Sequence, residues 1–381
     1  MAAANPVKKS SVNGDSSQSQ SEDQIKALET LTIEAPDGSL KASFIRAGAH
    51  VTNFYAKDKD GEFRDIVLGY DDRSMYLSDP AKAYYGAIVG RYANRIRNST
   101  FTVPSSGKAY TVGANDNEGA DSLHGGFIGY DARVWSLVEQ SSNHLKFSLQ
   151  DPDGSQGYPG TVTAYVTYTL QNDAKWLISM RAYADAETPI MLSSHAYWNL
   201  DAYQGSEDLS THYIQLQADK YVATDGILIP NGELPSVSGT PLDFRQPTQV
   251  KAAIEKTAGT DLCGAGCTGI DNCLIYEKGG DESKTQMSLW STASGIRIDV
   301  KTDQVAAQVY TGNGMQSVRN ITRKASQGGK DGGIYVNHSC VVLEQQSYID
   351  GINHPEWGVK HFYGPGEEYK WDAEYTFSVV K

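Results

Sequence analysis

Two short polar and aromatic strings interrupt otherwise β-like sequence, and each carries one residue able to move a proton. Ser193-Ser194-His195-Ala196-Tyr197-Trp198-Asn199-Leu200 holds an imidazole; Val341-Val342-Leu343-Glu344-Gln345-Gln346-Ser347-Tyr348 holds a carboxylate. Brought to opposite sides of one small substrate, such a pair can deliver a proton to one atom and take another away. Each residue also has a plainer reading. A histidine among aromatic residues is commonly a packed, hydrogen-bonded structural group. A glutamate at the end of an apolar run is commonly an ion-paired strand end. Glu344 nonetheless sits where a buried strand would continue with a hydrophobe, and burial would raise its proton affinity while hydrogen bonds or a nearby cation would lower it.

Two further strings occur upstream, Gly90-Arg91-Tyr92-Ala93-Asn94-Arg95-Ile96 and Leu123-His124-Gly125-Gly126. On residue type alone, Arg95 reads equally well as a structural cation, and the paired glycines as a tight turn. Taken together, in their order and separations, the four strings resemble the aldose 1-epimerase (galactose mutarotase) family, from about Leu40 to the C-terminus. The resemblance implies reversible opening of a sugar hemiacetal, with His195 as the acid at the ring oxygen and Glu344 as the base at the anomeric hydroxyl. It implies sugar binding by Asn94, Arg95 and His124, by Asp271 in Gly269-Ile270-Asp271-Asn272-Cys273, and by Gln308 in Ala307-Gln308-Val309-Tyr310. It calls for no metal, no cofactor and no covalent intermediate; the partner is a free monosaccharide, galactose or glucose.

The elements that must position these residues read as strands. Val162, Ala164, Val166, Tyr168 and Leu170 alternate with polar residues, and Trp176, Ile178, Met180 and Ala182 repeat the pattern after Gln171-Asn172-Asp173-Ala174, a hairpin signature. Ile296, Ile298 and Val300 alternate likewise. Helical signals are few, the best being Thr248 to Lys256 with Thr248 as its cap. Many short strands without intervening helices predict an all-β, antiparallel sandwich or barrel. The resemblance narrows this to a large mutarotase-like supersandwich with the cleft on a concave sheet face.

Composition bounds the rest. The 381 residues include 39% hydrophobic side chains, 23 Tyr and six Trp, enough for a sizeable core. Residues 1–24 are Ser-, Gln- and Asn-rich with scarcely a large apolar side chain, which predicts a disordered tail ahead of one catalytic domain over 25–381. A formal charge of -13 argues against a nucleic-acid surface. No run of about 18 apolar residues is present to span a membrane, and Met1 to Asp15 lacks the apolar core of a leader, so the expected location is cytoplasmic. In that compartment Cys263, Cys267, Cys273 and Cys340 are expected as reduced thiols, with a local Cys263–Cys267 disulfide as the alternative. The three Asn-X-Ser/Thr sequons at Asn98, Asn320 and Asn337 are then incidental. Oligomeric state leaves no trace in the sequence.

Several patterns lead away from other chemistries. Gly264-Ala265-Gly266-Cys267-Thr268-Gly269 fits G-x-G-x-x-G but leads into strand-like Cys273-Leu274-Ile275-Tyr276, not the helix a dinucleotide fold needs. The cysteine spacings do not form paired zinc knuckles. Ser193-Ser194-His195 lacks a nucleophile elbow. Asp271 beside Glu344 could be read as a glycosidase pair. A hexose-phosphate epimerase would need extra cations in the strings, and a non-catalytic sugar-binding protein would not need both His195 and Glu344.

Overall fold

The computed structural model describes residues 25–80, 82–315 and 321–380; the expected tail over 1–24 lies outside the described residues. Every pairing between named strands is antiparallel, as the alternating sequence predicts. The hairpin is the clearest case. Val162–Gln171 pairs with Lys175–Ala184 with Leu170 opposite Trp176, and Val162, Ala164, Val166, Tyr168 and Leu170 are all buried.

This hairpin belongs to a nine-stranded sheet that runs, edge to edge, through Ser136–Gln140, His144–Asp151, Val162–Gln171, Lys175–Ala184, Tyr369–Val379, Ile296–Thr302, Met287–Ser291, His212–Leu216 and Thr248–Gln249. Facing it are a four-stranded sheet, Leu31–Glu34, Leu40–Phe44, Val51–Lys57 and Phe63–Asp65, and a five-stranded sheet, Tyr197–Trp198, Val341–Gln346, Ala306–Tyr310, Asp271–Tyr276 and Ala218–Tyr221. Inward side chains of all three sheets merge into one apolar cluster that extends from Leu31 to Phe377. Phe54 packs against Trp176 and Phe377, with ring centroids 4.8 Å apart in both cases. Trp371 of the large sheet donates its indole N–H to the Gln345 carbonyl of the five-stranded sheet at 2.8 Å. Each fully buried large apolar side chain contributes roughly 1.5–3 kcal/mol, so this shared interior is what holds the layers together.

Two sequence expectations are corrected. The helix begins at Val250 and ends at Lys256, with Gln249 at the cap position and no side-chain cap bond. Thr248 is instead in strand pairing with Ile214, and its hydroxyl donates to the Gln246 carbonyl: edge pairing has claimed the residue the helix would have used. The second correction concerns the thiols. Cys263 and Cys267 are joined as a disulfide, with Cα atoms 5.5 Å apart, because the turn Gly264-Ala265-Gly266 folds back on itself. Cys273 and Cys340 are free and buried. Among the described residues, no helix is long and apolar enough to cross a membrane.

Candidate active site

Strand alternation decides which residues of the five-stranded sheet reach the core and which reach the cleft. Along Val341–Gln346, Val341 and Leu343 enter the apolar core, so Glu344 points to the other face. Along Ala306–Tyr310, Ala307 and Val309 face the core, so Gln308 and Tyr310 share the face of Glu344. The register then sets Gln308 directly opposite Glu344 and Cys273 opposite Gln308. Asp271, two residues before Cys273, lies diagonally from Gln308 and accepts a hydrogen bond from its side-chain amide at 2.6 Å. Three polar residues far apart in sequence thus form one row.

His195 lies between two short strands, Ser193–Ser194, paired with Ile88–Val89, and Tyr197–Trp198, paired with Val341–Val342. Its backbone N–H donates to the Ala87 carbonyl at 2.9 Å, and its carbonyl accepts from Gly86 at 3.0 Å. The polar neighbours in its string brace the backbone rather than the imidazole: Ser193 donates to the Gln345 carbonyl and Asn199 to that of Ser339. The outcome is a ring whose Nε2 stands 3.5 Å from Glu344 Oε1. The sequence expectation of an acid and a base on opposite sides of a substrate is therefore corrected; the two groups are neighbours on one wall.

The third wall comes from the N-terminal strings. Arg95–Ile96 pairs with Ser122–Leu123, which brings Asn94 and His124 together. The His124 backbone N–H donates to the Asn94 carbonyl, while the Asn94 N–H donates to His124 Nδ1, both at 3.1 Å. Because Nδ1 accepts, neutral His124 carries its proton on Nε2. Gly125 follows with φ +89°, and a Cβ there would meet the Gly90 carbonyl oxygen at 2.0 Å. The glycine is thus required by a close backbone approach as well as by its turn. Arg91 is a structural cation, buried and bonded to Asp151 at 2.7 Å. Arg95 differs, reaching the cleft while its Nε donates to Asp116 at 2.8 Å.

Asn94, Arg95, His124, His195, Asp271 and Glu344 line one cavity of about 240 Å³, below the usual size of sites for drug-sized ligands. Gln308 lies behind its wall, 1% exposed and bonded to Asp271. Leu123, Tyr84, Tyr197 and Tyr310 also line the cavity and were not expected there. Tyr197 stands in the same string as His195, and Tyr310 was findable, two residues along its strand from Gln308 and so on the same face. Tyr84 was not: it lies in a non-repetitive segment, with φ 54°, its ring 4.8 Å from His124 and 5.6 Å from His195.

The electrostatics favour proton exchange. Burial first, and the charge of Asp271 second, push the Glu344 carboxyl well above the ordinary carboxylate range, with the Arg95 guanidinium opposing. Burial likewise raises Asp271, against Arg95 and the Gln308 hydrogen bond. His124 is driven well below the usual imidazole range by burial, then by His195 and Arg95, which keeps it a neutral hydrogen-bonding group. Glu344 Oε2 and Gln308 Oε1 are buried without a hydrogen-bond partner among the described residues; unmet acceptors of this kind are costly unless a ligand or solvent serves them. His124, His195 and Glu344 also bring one possible ligand atom each within 4.8 Å of one another, but with His124 Nδ1 engaged by the Asn94 N–H and its proton on Nε2, His124 has no free lone pair for a metal ion.

A buried imidazole and carboxyl side by side, ringed by hydrogen-bonding side chains on a many-stranded antiparallel sandwich, suit an isomerase that moves protons on a small polar substrate. The aldose 1-epimerase family model matches residues 29–376, starting earlier than the strings suggested and taking in the first strand. Galactose mutarotase from Bos taurus is 37% identical over 347 residues, covering 90% of this chain and 92% of its own. Aldose 1-epimerase from Escherichia coli K12 is 35% identical over 319 residues, covering 84% and 86%. An aldose epimerase homologue from C. elegans superposes with a TM-score of 0.80 at 29% identity, covering 93% of this chain and 99% of that one. The chain belongs to the aldose 1-epimerase family.

Proposed function

We infer that the substrate is a free aldohexose, galactose, glucose or both, whose α and β anomers exchange through the open aldehyde. One observation carries the assignment of roles: the 3.5 Å approach of His195 Nε2 to Glu344 Oε1 on a buried wall. The anomeric hydroxyl and the ring oxygen hang on the same carbon, so an acid and a base this close together can reach both. Glu344 takes the proton of the anomeric hydroxyl while His195 delivers one to the ring oxygen, and the bond from the anomeric carbon to the ring oxygen breaks. The proton count of the pair is unchanged. Rotation about the bond between the first two carbons presents the other carbonyl face. Return of the Glu344 proton to the carbonyl oxygen, as His195 accepts that of the chain hydroxyl, closes the other anomer. Asn94, Arg95, His124 and Asp271 hold hydroxyls, and Gln308 supports Asp271.

A neutral sugar suits the charge of the cavity. Among its lining residues Arg95 is the one permanent cation, already engaged by Asp116, and it shares the space with the carboxyl groups of Asp271 and Glu344. A phosphorylated hexose would have to face both.

Polarimetry on fresh α-D-glucose and α-D-galactose, after exhaustive chelation of the protein, tests this reading. Rotation is expected to relax faster than the spontaneous rate for at least one sugar. Relaxation at the spontaneous rate with both sugars, even after divalent metal is restored, would reject the free-aldose substrate. Activity lost on chelation and regained with a divalent ion would reject the metal-free reaction.

We read residues 25–381 as the catalytic unit, acting in the cytoplasm. A chain beginning at residue 25 is then expected to keep its melting temperature and turnover. A large loss of either would show that the N-terminal segment docks on the unit.

A further inference from the structure

We propose that Asp116 is a positioning residue that orients Arg95 toward the sugar and sets how much of its charge the acid-base pair feels. The inference rests on the reading of Arg95 as a sugar-binding residue.

A guanidinium has five N–H donors in a rigid plane. Asp116 Oδ2 takes the Nε–H at 2.8 Å, which fixes that plane and leaves both terminal nitrogens for the cavity that Arg95 lines. The contact is well enclosed, the two side chains being 14% and 23% exposed. It is also firmly mounted. Asp116 and Asp121 exchange backbone hydrogen bonds at 3.0 and 3.2 Å. Asp121, 2% exposed, accepts from the Asn98 N–H at 2.7 Å and from Asn117 Nδ2 at 2.9 Å. Asn115 clamps the same turn to the neighbours of His124, donating to the Leu123 and Gly126 carbonyls and accepting from the Leu123 N–H. One turn therefore grips the chain on both flanks of the cleft wall, after Arg95 and around His124, and holds a carboxylate at the single guanidinium hydrogen that the sugar would not use.

The electrostatic part follows from the groups around Glu344: His195 in contact, Asp271 along the row, Arg95 and His124 across the cavity, and the buried Cys273 thiol beneath. Arg95 is the cation that favours ionised Glu344. Asp116 offsets part of that charge, so removing it should favour the carboxylate and removing Arg95 should disfavour it.

Steady-state polarimetry across pH on Asp116→Asn, Arg95→Gln and the double variant tests the proposal. Asp116→Asn is expected to raise KM about five- to tenfold, the loss of one charge-assisted contact, and to move the acid limb of the profile to lower pH. Arg95→Gln should raise KM and move that limb to higher pH. In the Arg95→Gln background the Asp116 substitution should add nothing, because an effect relayed through Arg95 vanishes with it. Asp116→Glu, which keeps the carboxylate, should recover part of the lost affinity at an unchanged melting temperature. An Asp116→Asn enzyme with native KM and acid limb overturns the proposal while leaving the Arg95 reading intact, provided Arg95→Gln is impaired. Full additivity in the double variant also overturns it, since that is the mark of a fold defect. A silent Arg95→Gln overturns both readings.

Discussion

Glu344→Gln is expected to lower kcat by about 10²- to 10⁴-fold, the usual contribution of a positioned general base, while sugar binding survives. The amide keeps the shape and hydrogen-bonding of the carboxyl group at a position 2% exposed, but it cannot take up a proton. Calorimetry of galactose or glucose binding alongside polarimetric kcat separates the two effects. A variant that turns over at near-native rate would move the base elsewhere in the cleft, with Asp271 and His124 first in line.

His195→Asn should cost a comparable factor, and its pH profile carries the more specific information. In the proposed mechanism the working state is the His195 and Glu344 pair holding one proton in total. Acidification adds a second proton and removes the base; alkalinisation removes the last one and leaves no acid. Two limbs are expected for the native enzyme, and they belong to the pair rather than to either residue. The sign for Glu344 follows from its raised proton affinity: the limb in which it titrates is displaced upward from the ordinary carboxylate range, so activity is lost on acidification sooner than a solvent-exposed glutamate would dictate. The residual rate of His195→Asn should keep that acid limb and lack the alkaline one. An alkaline limb that persists unchanged in this variant would show that another group supplies the acid.

Period-two alternation makes much of this fold legible. It assigns the apolar residues of Val162 to Leu170 and Trp176 to Ala182 to the buried side, where they lie, and its interruption at Glu344 marks a residue facing away from the core. The motif strings nominate all six of the polar, non-tyrosine residues that line the cavity. Alternation does not reveal which strands stand side by side, because register between Asp271, Gln308 and Glu344 is fixed by contacts across the whole sandwich. For the same reason the closeness of His195 to Glu344 is out of its reach, and the two are expected farther apart than they are. Asp116 carries no pattern of its own; only the turn that returns it to Arg95 gives it meaning. The Thr248 cap and the reduced Cys263 and Cys267 follow from local or compartment rules that the neighbouring chain overrides.

The alternation along Val341–Gln346 has a consequence for how such a chain can change. Leu343 and Glu344 are adjacent in sequence yet belong to opposite surfaces, one in the apolar core and one lining the cavity, so what the cavity presents depends on the strand's phase. Gaining or losing one residue within it would turn the carboxylate into the interior and a leucine into the cleft. An insertion in a flanking segment would leave that phase unchanged. The strand itself can take no odd shift, so the placing of Glu344 rests on parity as much as on residue identity.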